Sequence, residues 1–442
     1  MNKYSLTHIK QRINLGWFKD HKILWNMISM GSKNQVLSPI NVIMLTVLID
    51  MTGFGMIIPL IPFYAQRFAS GASGIGILLA SFSIMQLIFS PILGKLSDKR
   101  GRKPILLFSI LTSIGSFLLF TYAYSFLILL LSRIIAGLAT EGAVAQAYVA
   151  DITTKEERST GIGKVGAAIG VGFILGPVIG GLLSPYGIRA PGAAALLLSI
   201  INFIFVLIFL PKPEQQIQST ESSTFIKEIN DLKKAIKEPL TGQIYIIYFI
   251  VTLAFAAIPV IVPLLTIDYF GFTEVEMSYV FIFIGVIQVV LQGFGIKRLV
   301  SKLGEEKLII LGPLLLGVGI LFTPLLASIL GFGVSTVLLA VGVGVTNTAV
   351  PGFISLMTPA EKQGSTLGVI QSIGSIARIF GPIIGGYITE YYTVQSSFYF
   401  SAVILLVPFI IGCRLFQACT LKGLLEPLDR RSREEPSSLP PY

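Results

Sequence analysis

The hexapeptide Gly176-Pro177-Val178-Ile179-Gly180-Gly181 returns almost unchanged 205 residues later as Gly381-Pro382-Ile383-Ile384-Gly385-Gly386. Gly163 and Gly368 keep that offset, and the pairs Ser159-Thr160 and Ser365-Thr366 precede them within one residue of register. A repeat at that spacing means two homologous halves. Of the 442 residues, 53% are hydrophobic and 13% charged, with a mean hydropathy of +0.80. That is about half the charge of a soluble domain. Such a chain cannot present a water-facing surface throughout. Duplicated halves of apolar helices are the usual construction of a secondary transporter.

A helix needs about 20 apolar residues to cross a bilayer. Twelve runs qualify. Six (40–64, 73–93, 105–123, 126–150, 161–184 and 191–211) precede a polar stretch at 212–241, and six (243–268, 277–296, 308–327, 333–357, 366–390 and 396–416) follow it. The expected fold is an all-α membrane protein with twelve transmembrane helices in two pseudo-symmetric six-helix bundles. Its expected parts are an N-terminal extension (1–39), a bundle (40–211), a linker (212–242), a bundle (243–416) and a tail (417–442).

Twelve spans sort the cations. Of 33 Lys and Arg residues, 29 fall on one side, only Arg67 and Arg189 on the other, and Arg133 and Arg378 within spans. The positive-inside rule makes the rich side cytoplasmic, with both termini there, as in a multi-pass protein of the cell membrane. The same bias accounts for the net charge of +10 without a nucleic-acid partner.

The extension lacks an uninterrupted apolar core of signal-peptide length. Leu15 to Met30 reads either as an amphipathic helix on the inner leaflet or as a disordered basic tail. His8 and His21 have no third ligand of the usual kind nearby, so no metal is expected. The tail after Lys422 is charged and rich in Pro and Ser, and reads as disordered. Cys413 and Cys419 lie at the cytoplasmic end of the last helix, where a structural disulfide is not expected.

Four segments carry chemistry. The string Gly94-Lys95-Leu96-Ser97-Asp98-Lys99-Arg100-Gly101-Arg102-Lys103-Pro104 joins the second and third spans. Its two glycines read as a tight turn, and Asp98 as an anion at a helix N-terminus. Lys99, Arg100, Arg102 and Lys103 are offered to Asp151, and Pro104 suits the first turn of the third span. The plain alternative is a solvated basic loop.

Asp50, within Leu48-Ile49-Asp50-Met51-Thr52-Gly53-Phe54-Gly55, lies about ten residues into the first span, about 15 Å deep. A carboxylate at that depth faces a cavity or a partner charge; the alternative is pairing within the bundle. Arg133, Gly137 and Glu141 follow at intervals of four down one face of the fourth span. The expected level of Asp50 lies between Arg133 and Glu141. That permits a switch in which Asp50 either pairs with Arg133 or is protonated. Glu141 reads equally as a substrate contact or a structural partner. In the fifth span Gly172, Gly176 and Gly180 form a stripe that lets another helix approach closely, with Pro177 bending the helix and Gly181 beside it. Pure packing is the alternative reading.

The 94–104 string resembles the signature of the major facilitator superfamily, G-x-L-[SA]-D-[RK]-x-G-R-[RK]. The resemblance implies an inner gate formed by Gly94, Asp98, Gly101, Arg102 and Lys103 with Asp151. In the second half only a worn copy, Gly295 to Lys307, remains, without an aspartate matching Asp98. The segments around Asp50 and Arg133, and the run Ala147 to Thr153, resemble twelve-helix drug–proton antiporters, particularly tetracycline efflux pumps. The form Gly-x-x-x-Gly-Pro-x-x-Gly-Gly resembles the antiporter signature of exporters.

The implied activity is proton-coupled export of amphipathic organic compounds by alternating access, with Asp50, Arg133 and Glu141 handling protons. Gln288, Asn347, Gln371 and Arg378 are the expected polar members of a substrate site. Asn347 and Gln371 could instead satisfy backbone groups at broken turns. The expected partners are a small-molecule substrate, protons and lipid, in a monomer with no cofactor. An importer or metabolite exporter of the same fold is the runner-up, and a non-transporting membrane sensor follows. An enzyme is not expected, since no Walker-type loop or catalytic dyad is present.

Overall fold

The computed structural model describes residues 38–139, 141–211, 241–326, 328–358 and 363–421. Most of the extension, the linker and the tail lie outside the described residues, and with them Leu15 to Met30, His8 and His21. The described residues form helices without strands. In chain order they are α1 (Pro39–Arg67), α2 (Ala72–Arg100), α3 (Arg102–Thr121), α4 (Phe126–Ile152), α5 (Lys155–Leu183), α6 (Arg189–Phe209), α7 (Thr241–Phe270), α8 (274–303), α9 (305–325), α10 (Ile329–Met357), α11 (Gln363–Tyr391) and α12 (394–421).

Helices α8 and α9 belong to one 52-residue helical run. Straight, that run would be about 78 Å long, over twice the hydrocarbon thickness. It is not straight: Gly304 breaks it at φ +76°, ψ 159°. The twelve expected spans are therefore all present. The counterpart of Gly304 in the first half is Gly101, at φ +95°. Only glycine adopts this region freely, and both turns stand at the basic end of the molecule.

The 94–104 string is mostly helix rather than loop. α2 continues through Arg100, and the reversal uses Gly101 alone. Gly94 lies inside α2, with no atom of the described residues within 4 Å of the place of a side chain. Asp98 consequently sits in the last turn of α2, not at a helix N-terminus. The run Lys95 to Arg100 contains no glycine or proline, so no backbone preference stops the helix before Gly101. Pro104 is the third residue of α3, as expected.

Helix pairs repeat between the halves. α1 packs on α5 and α6 as α7 packs on α11 and α12; α3 packs on α6 and α4 as α9 packs on α12 and α10. The halves meet at two equivalent seams, α2 with α11 and α5 with α8. Side chains such as Leu111, Leu197, Ile208, Val290 and Phe294 are exposed on the outer surface. They form the apolar face that a membrane-spanning protein offers to lipid.

The glycine stripe is a backbone contact. A Cβ on Gly176 would stand 2.6 Å from Gly55 Cα and 2.7 Å from the Thr52 carbonyl oxygen. One on Gly172 would stand 2.6 Å from Met51 Cβ, and one on Gly180 3.2 Å from the Met56 oxygen. α5 therefore lies directly on α1. The repeated hexapeptide acts likewise, with Gly381 and Gly385 against Leu253, Ala256 and Ala257 of α7.

Candidate functional site

The two halves share a core at one end only. One apolar cluster joins Met56, Leu60, Ile61, Tyr64, Ile75 and Leu78 of the first half to α7 and the other second-half helices. A second cluster, built around Val42, Val47, Leu106, Val144 and Tyr148, stays within the first half toward the basic end. The seams agree: Gly181 meets Ser278, Gly285 meets Ile174, Gly76 meets Pro382 and Gly386 meets Ala72, all in the middle or at the far end. Between the halves lies a cavity of about 1070 Å³, and the core that closes the far end over it has no counterpart at the basic end among the described residues. Phe54, Phe82, Phe117, Phe173, Tyr248 and Phe255 line its apolar walls.

Asp50, Arg133 and Glu141 all reach this cavity and all are buried. Of the two arrangements that the sequence allows for Asp50, the structure holds the one apart from Arg133. Asp50 forms no ion pair with Arg133 among the described residues. The hydroxyl of Ser113 on α3 lies 2.9 Å from Glu141 Oε1 and 3.3 Å from Asp50 Oδ1, so the two acids share one donor. The Arg133 guanidinium sits one turn further along α1, over Phe54 at 5.7 Å and Phe82 at 5.4 Å from the ring centroids. Such stacking contributes about 2 kcal/mol or more when desolvated. Among the described residues its Nε and Nη1 have no hydrogen-bond partner. Arg133 is thus a buried cation with no ion pair among the described residues, held over a ring one turn along α1 from Asp50.

The break in α4 explains this placement. The helix stops at Ala136 and resumes at Glu141. Gly137, between them, lies against α2: a Cβ there would be 2.6 Å from Met85 Cβ and also press on the Phe82 carbonyl. With α4 held that close, the chain before the break aims Arg133 between rings, and the chain after it aims Glu141 at Ser113. Ser113 was not among the residues expected from sequence. The signal was there, since Ser109, Ser113 and Ser116 recur at i, i+4 and i+7 and give α3 one polar face.

The other expected residues divide. Asn347, Gln371 and Arg378 line the cavity, and Arg378 donates to Ser375 Oγ at 3.1 Å. Gln288 does not line it; its amide donates to the Ala340 carbonyl at 2.9 Å and ties α8 to α10. At the basic end, Arg102 pairs with Asp98 and donates to Asp151 Oδ2 at 2.7 Å and Ser97 Oγ at 2.6 Å. This cluster is formed while the basic end is open, and it joins α2, α3 and α4 of one half. The ammonium of Lys103 caps the last carbonyls of α6, Leu207 at 2.9 Å and Leu210 at 2.5 Å. A cation at a helix C-terminus meets the negative end of the dipole.

Arg102→Ala is expected to lower stability by about 1–2 kcal/mol, because Arg102 is mostly buried and holds three helices while both acids keep some solvent. Thermal unfolding of the purified protein measures it. An unchanged transition would show that the cluster is ornamental to the bundle.

Comparison with known proteins agrees with the geometry. The family model of the Major Facilitator Superfamily matches residues 43–294 and 244–441. The chain is 30% identical over 378 residues to Multidrug resistance protein 2 of Bacillus subtilis (strain 168), covering 83% of this chain and 92% of that one. It is 29% identical over 342 residues to the class B tetracycline resistance protein of Escherichia coli, covering 76% and 85%. Among solved structures, a bacterial homolog to the human lysosomal transporter Spinster, inward-facing and unoccupied, aligns with a TM-score of 0.70 at 14% identity over 90% of this chain and 100% of that one. Twelve helices in two repeated halves, a central cavity and these matches make this chain a member of the major facilitator superfamily, a multi-pass membrane transporter.

Proposed function

We propose that the protein exports amphipathic organic compounds in exchange for protons, through alternating access of the central cavity. The carrying observation is the acid pair: Asp50 and Glu141 share the Ser113 hydroxyl on the cavity wall. Two carboxylates this close repel when both are ionised, so the pair is suited to hold and release a proton. A cavity of about 1070 Å³ with six aromatic side chains suits a bulky apolar body. Asn347, Gln371 and Arg378, on the second-half wall, supply polar contacts that orient it. The relatives named for tetracycline and multidrug resistance support export, and the antiporter-like glycine stripe supports the exchange mode. In this reading the basic end is cytoplasmic, the termini lie on that side of the cell membrane, the working unit is a monomer, and the structure is the inward-open state.

The test uses inside-out vesicles from cells expressing the chain. An imposed pH gradient, acid inside, should drive uptake of tetracyclines or other amphipathic drugs, and collapse of the gradient should stop it. Uptake indifferent to the gradient rejects proton exchange. Ser113→Ala should lower gradient-driven uptake about tenfold, the effect expected when one buried hydrogen bond at a working site is lost. It should leave membrane insertion intact. Full activity in that variant would show that the acids work independently of their shared hydroxyl.

A further inference from the structure

At the end away from the basic loops, α2 begins without a cap of its own. Its N-cap is Gly71, which offers no side-chain hydrogen bond. The acceptor comes from the other half. Glu390 Oε2, in the last turn of α11, accepts from the Ser73 backbone N–H at 2.7 Å, across 317 residues of sequence. Gly71 makes room: a Cβ there would stand 2.5 Å from Glu390 Oε2 and 2.8 Å from its Cδ. The seam below is equally close, with Gly386 pressed on the backbone of Ala72 and Ser73, and Gly76 on Pro382.

The equivalent helix of the second half is built differently. α8 is capped by its own residues: Thr273 takes the bond from Val275 N–H, and Glu276 accepts from the Thr273 backbone. At the repeat offset, Gly181 meets Ser278 as Gly386 meets Ser73. The position matching Glu390 is Pro185, whose side chain has no acceptor to offer. One seam therefore holds a charged cap supplied by the opposite half, and its twin does not. For α11 itself an acid in the last turn faces the negative end of the dipole and is unfavourable. Its favourable partner is the positive end of α2.

We infer that Glu390 is a latch on the outer seam, capping α2 only while the two halves are shut at that end. Opening the seam separates Glu390 from Ser73 and leaves the α2 N-terminus bare. The interaction exists in one state and not in the other, so it biases the equilibrium by its full free energy. Beside the twin seam, the charged contact between the halves among the described residues is a rim ion pair, Arg67 with Glu274 at 3.7 Å, and such exposed pairs contribute little. The inference uses alternating access from the reading above, and it needs neither a particular substrate nor proton coupling.

The test is a distance measurement on the full chain. Tyr124 and Tyr392, 78% and 73% exposed, stand in the outer α3–α4 and α11–α12 turns of opposite halves. Spin labels at Tyr124→Cys and Tyr392→Cys, in a Cys413→Ser/Cys419→Ser background, report opening of that end. Glu390→Ala should raise the long-distance population roughly threefold to thirtyfold, the range for loss of a helix N-cap. Glu390→Gln, which keeps an acceptor without the charge, should shift it less in the same direction and carries the test if the alanine variant is not produced. An unchanged distribution in both overturns the inference.

Gly71→Ser/Glu390→Ala separates a latch from ordinary helix capping. Serine at Gly71 suits an N-cap, the backbone there is extended, and the three atoms nearest its Cβ all belong to Glu390. That variant caps α2 in both states. Recovery of the parent distribution would reduce Glu390 to a stabiliser of α2 and overturn the latch; a distribution still shifted supports it. Because no substrate is present, an error in the proposed cargo or in proton exchange leaves this result unaffected.

Discussion

Asp50→Asn is expected to reduce gradient-driven efflux to background while the protein still folds and inserts. Asparagine has nearly the volume of aspartate and its Oδ1 can accept from Ser113, so the contacts of 2.9 and 3.3 Å around that hydroxyl can persist. What it cannot do is take up and release a proton. Removing one charge from a close pair of acids also relieves repulsion, so a change in stability within about 1 kcal/mol is expected. Counterflow of substrate, which requires no net proton movement, should survive in the variant. Near-normal uphill transport by Asp50→Asn would move the proton site elsewhere, and Glu141→Gln would then be the variant to examine.

Gly176→Leu is expected to be a severely damaging packing change. Even the first added carbon meets Gly55 Cα at 2.6 Å, Gly55 C at 2.7 Å and the Thr52 oxygen at 2.7 Å. These are backbone atoms, so no rotamer change relieves the contact, and α1 must move away from α5. Overpacking of cores costs typically about 1–3 kcal/mol, and more where the backbone must shift. α1 also carries Asp50 and Phe54, so its displacement disturbs both the acid pair and the Arg133 stack. Loss of transport with reduced expression is the expected outcome. An active, well-expressed Gly176→Leu protein would show that the α1–α5 contact is looser in the membrane.

Much of this architecture is legible in the sequence because it depends on properties that run along one helix. Apolar length predicts the spans, and the repeated hexapeptide predicts that α5 and α11 play equivalent parts, as their seams with α8 and α2 show. The small-residue spacing of Gly172, Gly176 and Gly180 predicts a close helix contact, and α1 supplies it. Where structure and expectation differ, the local chemistry is ambiguous. Lys95 to Arg100 is polar and charged, which suits a solvated loop or a helix projecting from the bilayer equally well. Gly101 decides between them by supplying the positive φ that lets the turn shrink to one residue.

The pairing of side chains from different helices was not legible. Gln288 bonds a carbonyl of α10, Lys103 caps α6, and Asp50 meets Glu141 through Ser113 rather than meeting Arg133. By itself the sequence determined the twelve crossings, the duplication and the basic end, because hydropathy and period are sums over neighbouring residues. The tertiary structure alone decided which charges meet, which end is shut, and that Glu390 caps a helix of the opposite half. Those outcomes turn on the rotation and approach of helices far apart in sequence, where a shift of one turn exchanges a hydroxyl for an aromatic ring as the neighbour of a buried charge.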